Sequence, residues 1–214
     1  MAKKEETNVI ELKPINPTTI TVTIEGTSDL VLNKMNDPTA RALTDARKDK
    51  AKSIEKPDKW ECIITSIHWM NGKPAEFSEE SLKQNLDPKV NAPCITAFGL
   101  KKSFADAVVR NEIAQYATKF NASVNIIGVG DGLIPVTFAT HNIDEKLMSP
   151  KKGAPVLCYL NRFSGWRATF NVDYIDNVYG LEQLVNIINL AGFGIGIGSG
   201  RSSGYGRYKV VDMK

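Results

Sequence analysis

Seven of the sixteen glycines in this 214-residue chain fall in one stretch, Gly192-Phe-Gly-Ile-Gly-Ile-Gly-Ser-Gly-Arg-Ser-Ser-Gly-Tyr-Gly206. Glycine has no Cβ, so such a stretch can take up left-handed backbone and can bring its amides close to another backbone or to a ligand. It cannot form the middle of a helix or strand without weakening it. The ten prolines are distributed the opposite way, all at or before Pro155. The C-terminal quarter therefore predicts regular elements interrupted by one permissive loop.

The common nucleotide fingerprints do not fit that loop. G-x-G-x-x-G needs glycines at n, n+2 and n+5, and here the third position falls on Ile197, Ser199, Arg201 or Ser203. The loop also follows a helical pattern and precedes a strand, the reverse of the dinucleotide-binding order. No G-x-x-x-x-G-K-[ST] occurs. Two readings stay open. One is a packing turn between helix and strand. The other is a phosphate surface for nucleic acid. It would combine the backbone of Gly196, Gly198 and Gly200 with the hydroxyls of Ser199, Ser202 and Ser203. Arg201, Arg207 and Lys209 would supply charge, and Tyr205 a ring for base stacking.

Composition narrows the class. With 42% hydrophobic and 24% charged residues, the chain is neither collagen-like nor wholly disordered, and it is long enough to bury a core. No apolar run reaches about 18 residues, so no membrane span is expected. Met1-Ala2-Lys3-Lys4-Glu5-Glu6 has no apolar segment behind it, and three scattered cysteines (Cys62, Cys94, Cys158) form no C-x-x-C pair. A reducing cytoplasm is the expected compartment. The two histidines, His68 and His141, stand alone, so neither a metal site, a cofactor nor a catalytic group is expected. Asp29 reads as a turn residue. A net charge of +3 is too small to argue for a polyanion; only local clusters can.

Along the chain, residues 1–17 read as a loosely ordered arm and 18–214 as one domain. Thr19–Ile24 alternates as a half-buried strand. Residues 34–59 hold eight Lys/Arg, five Asp/Glu and few large apolar groups, which predicts either a solvated helix or a mobile insertion. Trp60–Met70 is apolar, with Asn71-Gly72 as a turn signal. Ser103-Phe-Ala-Asp106 looks like a capping box, opening a helical stripe from Phe104 to Phe120. Strands are expected at 124–129, 133–139, 156–160, 166–174 and 205–211. Of these, Trp166–Tyr174 alternates most cleanly. Leu181 to Ala191 predicts a helix ending at Gly192 as a left-handed C′ residue. Two strand–helix–strand units imply an α+β chain with a ferredoxin-like, RRM-like β-α-β-β-α-β core and a large insertion after its first strand. Lys101-Lys102 and Lys151-Lys152 are further basic steps that could rim a groove.

The succession of apolar helix, glycine loop and basic strand (Gly200-Arg-Ser-Ser-Gly-Tyr-Gly-Arg207) resembles the C-terminal glycine-rich loop of the RAMP superfamily, the RNA-binding subunits of CRISPR effector complexes. Trp166–Tyr174 and Leu184–Gly198 are also similar to segments of uncharacterised bacteriophage proteins. The resemblance covers about residues 166–210. It implies a RAMP-type ferredoxin fold that binds single-stranded RNA or DNA without enzymatic activity, the glycine loop lying against the nucleic-acid backbone. It also implies side-by-side assembly with copies of itself or related subunits. An RNA-cleaving member of the same fold, or a phage protein that mimics or obstructs a CRISPR complex, are the alternatives.

Overall fold

The computed structural model describes residues 15–48, 58–148 and 156–214. In chain order the elements are β1 (Pro17–Gly26), β2 (Leu30–Leu32), α1 (Asp37–Lys48), α2 (Lys59–Thr65), β3 (His68–Trp69), α3 (Glu79–Asn85), β4 (Pro93–Thr96) and α4 (Ala97–Arg110). They continue with α5 (Thr118–Ser123), β5 (Val124–Ile127), β6 (Leu133–Thr137), β7 (Thr140–Met148), β8 (Val156–Ser164), β9 (Arg167–Ile175), α6 (Leu181–Leu190) and β10 (Tyr208–Met213). Seven strands form one antiparallel sheet, in the order β10-β1-β9-β6-β4-β3 with β5 beside β9. A second sheet has the order β2-β8-β7.

The large sheet is built from period-two sequence. β1 buries Ile20, Val22 and Ile24, and β9 buries Ala168, Phe170, Val172 and Tyr174. The opposite face is polar and cross-linked: Thr19 donates to Asp173 (2.7 Å) and Thr21 to Asn171 (2.9 Å), in register across β1 and β9. α4 and α6 cover the apolar face, with Phe104 against Phe170 at 6.4 Å between centroids. Trp166 is fully buried where β9 begins. Its Nε1 donates to the Ser28 carbonyl (2.8 Å), and its ring meets Tyr208 edge-on. No helix among the described residues is long and apolar enough to cross a membrane.

Several expectations are corrected. Ser103 does not cap α4. Thr96 does, its hydroxyl accepting from the Gly99 N–H (3.0 Å), and Ser103 lies buried further along the helix. The helical stripe breaks after Arg110, and Phe120 belongs to the separate α5. α6 does not stop at Gly192. It widens into a π-turn, Ala191–Ile195, closed by Gly196 N–H donating to Ala191 (2.8 Å). Positive φ begins only at Gly196 (+75°). Gly192 is needed for space instead, since a Cβ there would overlap the Tyr208 carbonyl. β7 was not expected at all, and β10 starts at Tyr208 rather than Tyr205. Within the basic stretch, 37–48 is helical, with Arg41 pairing to Glu61 of α2 (2.8 Å) and Asp37 to Lys73. Residues 49–57, residues 1–14 of the expected 1–17 arm and Lys151-Lys152 lie outside the described residues, while the last residue of that arm, Pro17, already belongs to β1.

Candidate nucleic-acid interface

The glycine loop is fastened to the chain's first turn. Five glycines carry positive φ (Gly196, Gly198, Gly200, Gly204 and Gly206, +69° to +86°), and the path between them runs against protein backbone. Ile197 N–H donates to Gly206 (2.9 Å), Ser199 N–H to Val31 (2.8 Å) and Gly206 N–H to Asp29 (2.8 Å). A Cβ at Gly206 would overlap the Ile197 carbonyl, and one at Gly198 would stand 2.5 Å from the Val31 oxygen. Ser28 Oγ donates to the Gly204 carbonyl (2.8 Å) and accepts from Arg207 N–H (2.9 Å). From the helix side, Ser103 Oγ donates to the Gly196 carbonyl (2.9 Å). Much of the glycine content therefore serves close self-packing.

What the loop leaves outward is a cavity of about 230 Å³ between β2, β3, β4, the start of α4 and residues 197–201. Lys34, Lys102 and Arg201 line it, with Ser66, Thr96 and Ser199 among its hydroxyl groups and, among the described residues, no carboxylate. Lys102 has Asp106 at 3.5 Å; among the described residues neither Lys34 nor Arg201 has a carboxylate within salt-bridge distance. Gly198 and Gly200 are exposed, and their amides have no backbone acceptor among the described residues. Cations, hydroxyls and open amides, with Asp106 beside Lys102 as the one acidic neighbour among the described residues, suit a phosphate group.

The expected site residues do not all converge here. Gly198, Ser199 and Arg201 line the cavity, Ser199 also donating to the Asn33 carbonyl (3.2 Å). Gly200, Ser202 and Ser203 are exposed beside it on the 3-10 turn, while Gly196 is buried. Arg207 folds inward: Nη2 donates to the Arg201 carbonyl (3.3 Å), and Nη1 is buried without a partner among the described residues. Lys209 stands across the sheet, 3.9 Å from Glu25. Tyr205 rests its ring edge on Gly200 and has the Lys146 ammonium 5.6 Å from its centroid.

Lys34 and His68 were missed, because β2, α1 and β3 bring them in from segments without a shared motif. Lys102 was visible only as a basic step. His68 sits directly opposite Cys94 on the β3–β4 pair. Burial, and then the charge of Lys34, hold its imidazole below the ordinary histidine value, and burial pushes the Cys94 thiol up to about 12. Such a thiol stays protonated, so the pair is not an activated nucleophile. Asp29 points away from the cavity, its carboxylate 3.4 Å from Arg162, which also pairs with Asp144 (3.2 Å). His141 is held by Asn161 (2.9 Å) and packed against Phe163. Among the described residues no three His, Cys, Asp or Glu side chains gather to hold a metal.

No protein-family model matches the sequence, and no curated protein matches it. Among solved structures the chain is similar to a chain in the cryo-EM structure of the type III-B Cmr-beta bound to cognate target RNA. The TM-score is 0.51 at 13% identity, covering 92% of this chain and 60% of that one. It is also similar to Cmr6 from Pyrococcus furiosus, with TM-score 0.41 and 12% identity, covering 92% of this chain and 98% of the other. The first likeness is one of fold, that of a mixed α/β chain with antiparallel sheets; bacteriophage similarity gains nothing from it.

Proposed function

We propose that this chain binds single-stranded RNA through phosphate contacts, with little base specificity and without cleaving it, as a cytoplasmic subunit of a multisubunit complex. The observation that carries this is the cavity beside the glycine loop, lined by Lys34, Lys102 and Arg201 and, among the described residues, by no carboxylate. Phosphate contacts fix a strand in place without reading its bases. Two further points support the reading. The pairing β10-β1-β9-β5, with α4 and α6 as crossovers, fits a ferredoxin-like β-α-β-β-α-β core of RAMP type. The fold also has its likeness in a Cmr-beta that binds target RNA. Side-by-side assembly with copies or related subunits belongs to the same proposal.

One observation favours a ribonuclease: His68 lines the cavity, its imidazole held below the ordinary histidine value by burial and by Lys34. Among the described residues no carboxylate or second histidine lines the cavity with it to share proton transfer, so binding is the better reading. The test is fluorescence anisotropy of a labelled RNA oligonucleotide, and of its DNA counterpart, across a salt series. Three phosphate contacts give a log–log slope of about −2. Lys34→Ala, Lys102→Ala and Arg201→Ala together should flatten that slope. Unchanged RNA affinity in this folded triple mutant would leave the loop a packing turn. Labelled RNA that shortens on incubation would overturn the non-enzymatic assignment.

A further inference from the structure

Resting on the RNA-binding reading above, we infer that Phe98 is the platform on which a base of the bound strand stacks. Its ring is 78% exposed, although it lies in the first turn of a helix that is otherwise well buried. Thr96, Gly99 and Lys102 from the same turns line the cavity, and Lys102 follows Phe98 by four residues, on the same side of the helix. About 5–6 Å separates such a pair at Cβ. A phosphate held by Lys102 and Arg201 therefore lies within a ribose's reach of the ring.

The other aromatic groups near this end of the molecule are committed elsewhere. Tyr205 leans on Gly200 and faces Lys146, while Phe104, Trp166 and Tyr208 are buried in the core. Phe193 is 86% exposed, but it belongs to the π-turn, none of whose residues lines the cavity. The open face of β1 and β9 presents threonines, Asn171 and Asp173, and no aromatic ring. Charge complementarity selects the occupant: a lining whose charged residues, Lys34, Lys102 and Arg201, are all cations, beside an exposed ring, fits a nucleotide, whose phosphate and base satisfy both. Because every base has a π-face, the contact tolerates any sequence.

The probe is an oligouridine RNA with one central 2-aminopurine, whose fluorescence is quenched by stacking, titrated into the full chain. Phe98→Ala should weaken binding on the order of tenfold, leave the salt slope unchanged and remove the protein-induced quench. Phe98→Trp should restore both. Lys102→Ala should do the reverse, flattening the slope while the quench at saturation persists. Phe98→Ala that binds and quenches like wild type would overturn the inference while leaving RNA binding intact. So would a variant that keeps RNA affinity but loses association between protein copies, since Phe98 would then be a subunit contact. Wild-type protein that binds no RNA would overturn the RNA-binding reading together with this one.

Discussion

Arg201 and Arg207 stand six residues apart and do different work. Arg201 lines the cavity, whereas Arg207 turns its guanidinium onto the Arg201 carbonyl and buries Nη1. Arg201→Ala should lower the magnitude of the salt slope by roughly 0.7, the share of one single-strand phosphate contact. Its melting temperature should stay near wild type, as partly exposed charges contribute little to folding. Arg207→Ala should leave the slope alone and lower stability by about 1.5–3 kcal/mol, the range for a charged hydrogen bond. Urea denaturation separates the two. The glycines divide in the same way. Gly204 (φ +86°) has open space around its missing Cβ, so Gly204→Ala should cost only the left-handed strain of about 1–2 kcal/mol. Gly206→Ala would drive a methyl into the Ile197 carbonyl and should cost more than Gly204→Ala, by roughly another 1–3 kcal/mol of overpacking.

At the scale of elements, α4 is the strut beneath the loop. Ser103, fully buried, donates to the Gly196 carbonyl, and its removal leaves that acceptor without this bond in the core. Ser103→Ala should cost about 1–3 kcal/mol and loosen RNA binding through the loop, measured by denaturation and anisotropy together. How far such elements were legible depended on period. β1 and β9 alternate strictly and were visible in sequence, because one face packs under helices and the other meets water. β7 reads Thr-His-Asn-Ile-Asp-Glu-Lys-Leu-Met, without alternation, and becomes a strand only because β8 supplies its partner. The end of α6 was misplaced because a glycine within a helix reads as a stop, while here it admits the Tyr208 backbone. Of the candidate site, Gly198, Ser199 and Arg201 were legible from the loop. Lys34 and His68 were not, since only tertiary packing brings β2, α1 and β3 beside it.

For the molecule as a whole, the two histidines set a pH response. Burial holds His141 below the ordinary value of 6.5, and burial together with Lys34 does the same for His68. The unfolded chain therefore binds more protons than the folded one just below that value. Stability is full above it and falls as pH drops. Urea midpoints at about pH 7.5 and about pH 5.5 should differ in that sense, and His141→Gln should shrink the difference. RNA binding should move the other way, tightening in acid, because a protonated His68 adds a fourth cation to the cavity. The stapling of the glycine loop has a further consequence, for biosynthesis. The bonds from Ser28 to Gly204 and Arg207, and from Ser199 to Asn33, join residues 166 to 179 positions apart. A chain emerging from the ribosome presents residues 28–34 long before the segment that completes the cavity has been made. Contacts of such sequence separation close late. Nascent or prematurely terminated chains lack the assembled surface, so the proposed capture of RNA would begin only once both halves of the fold have met.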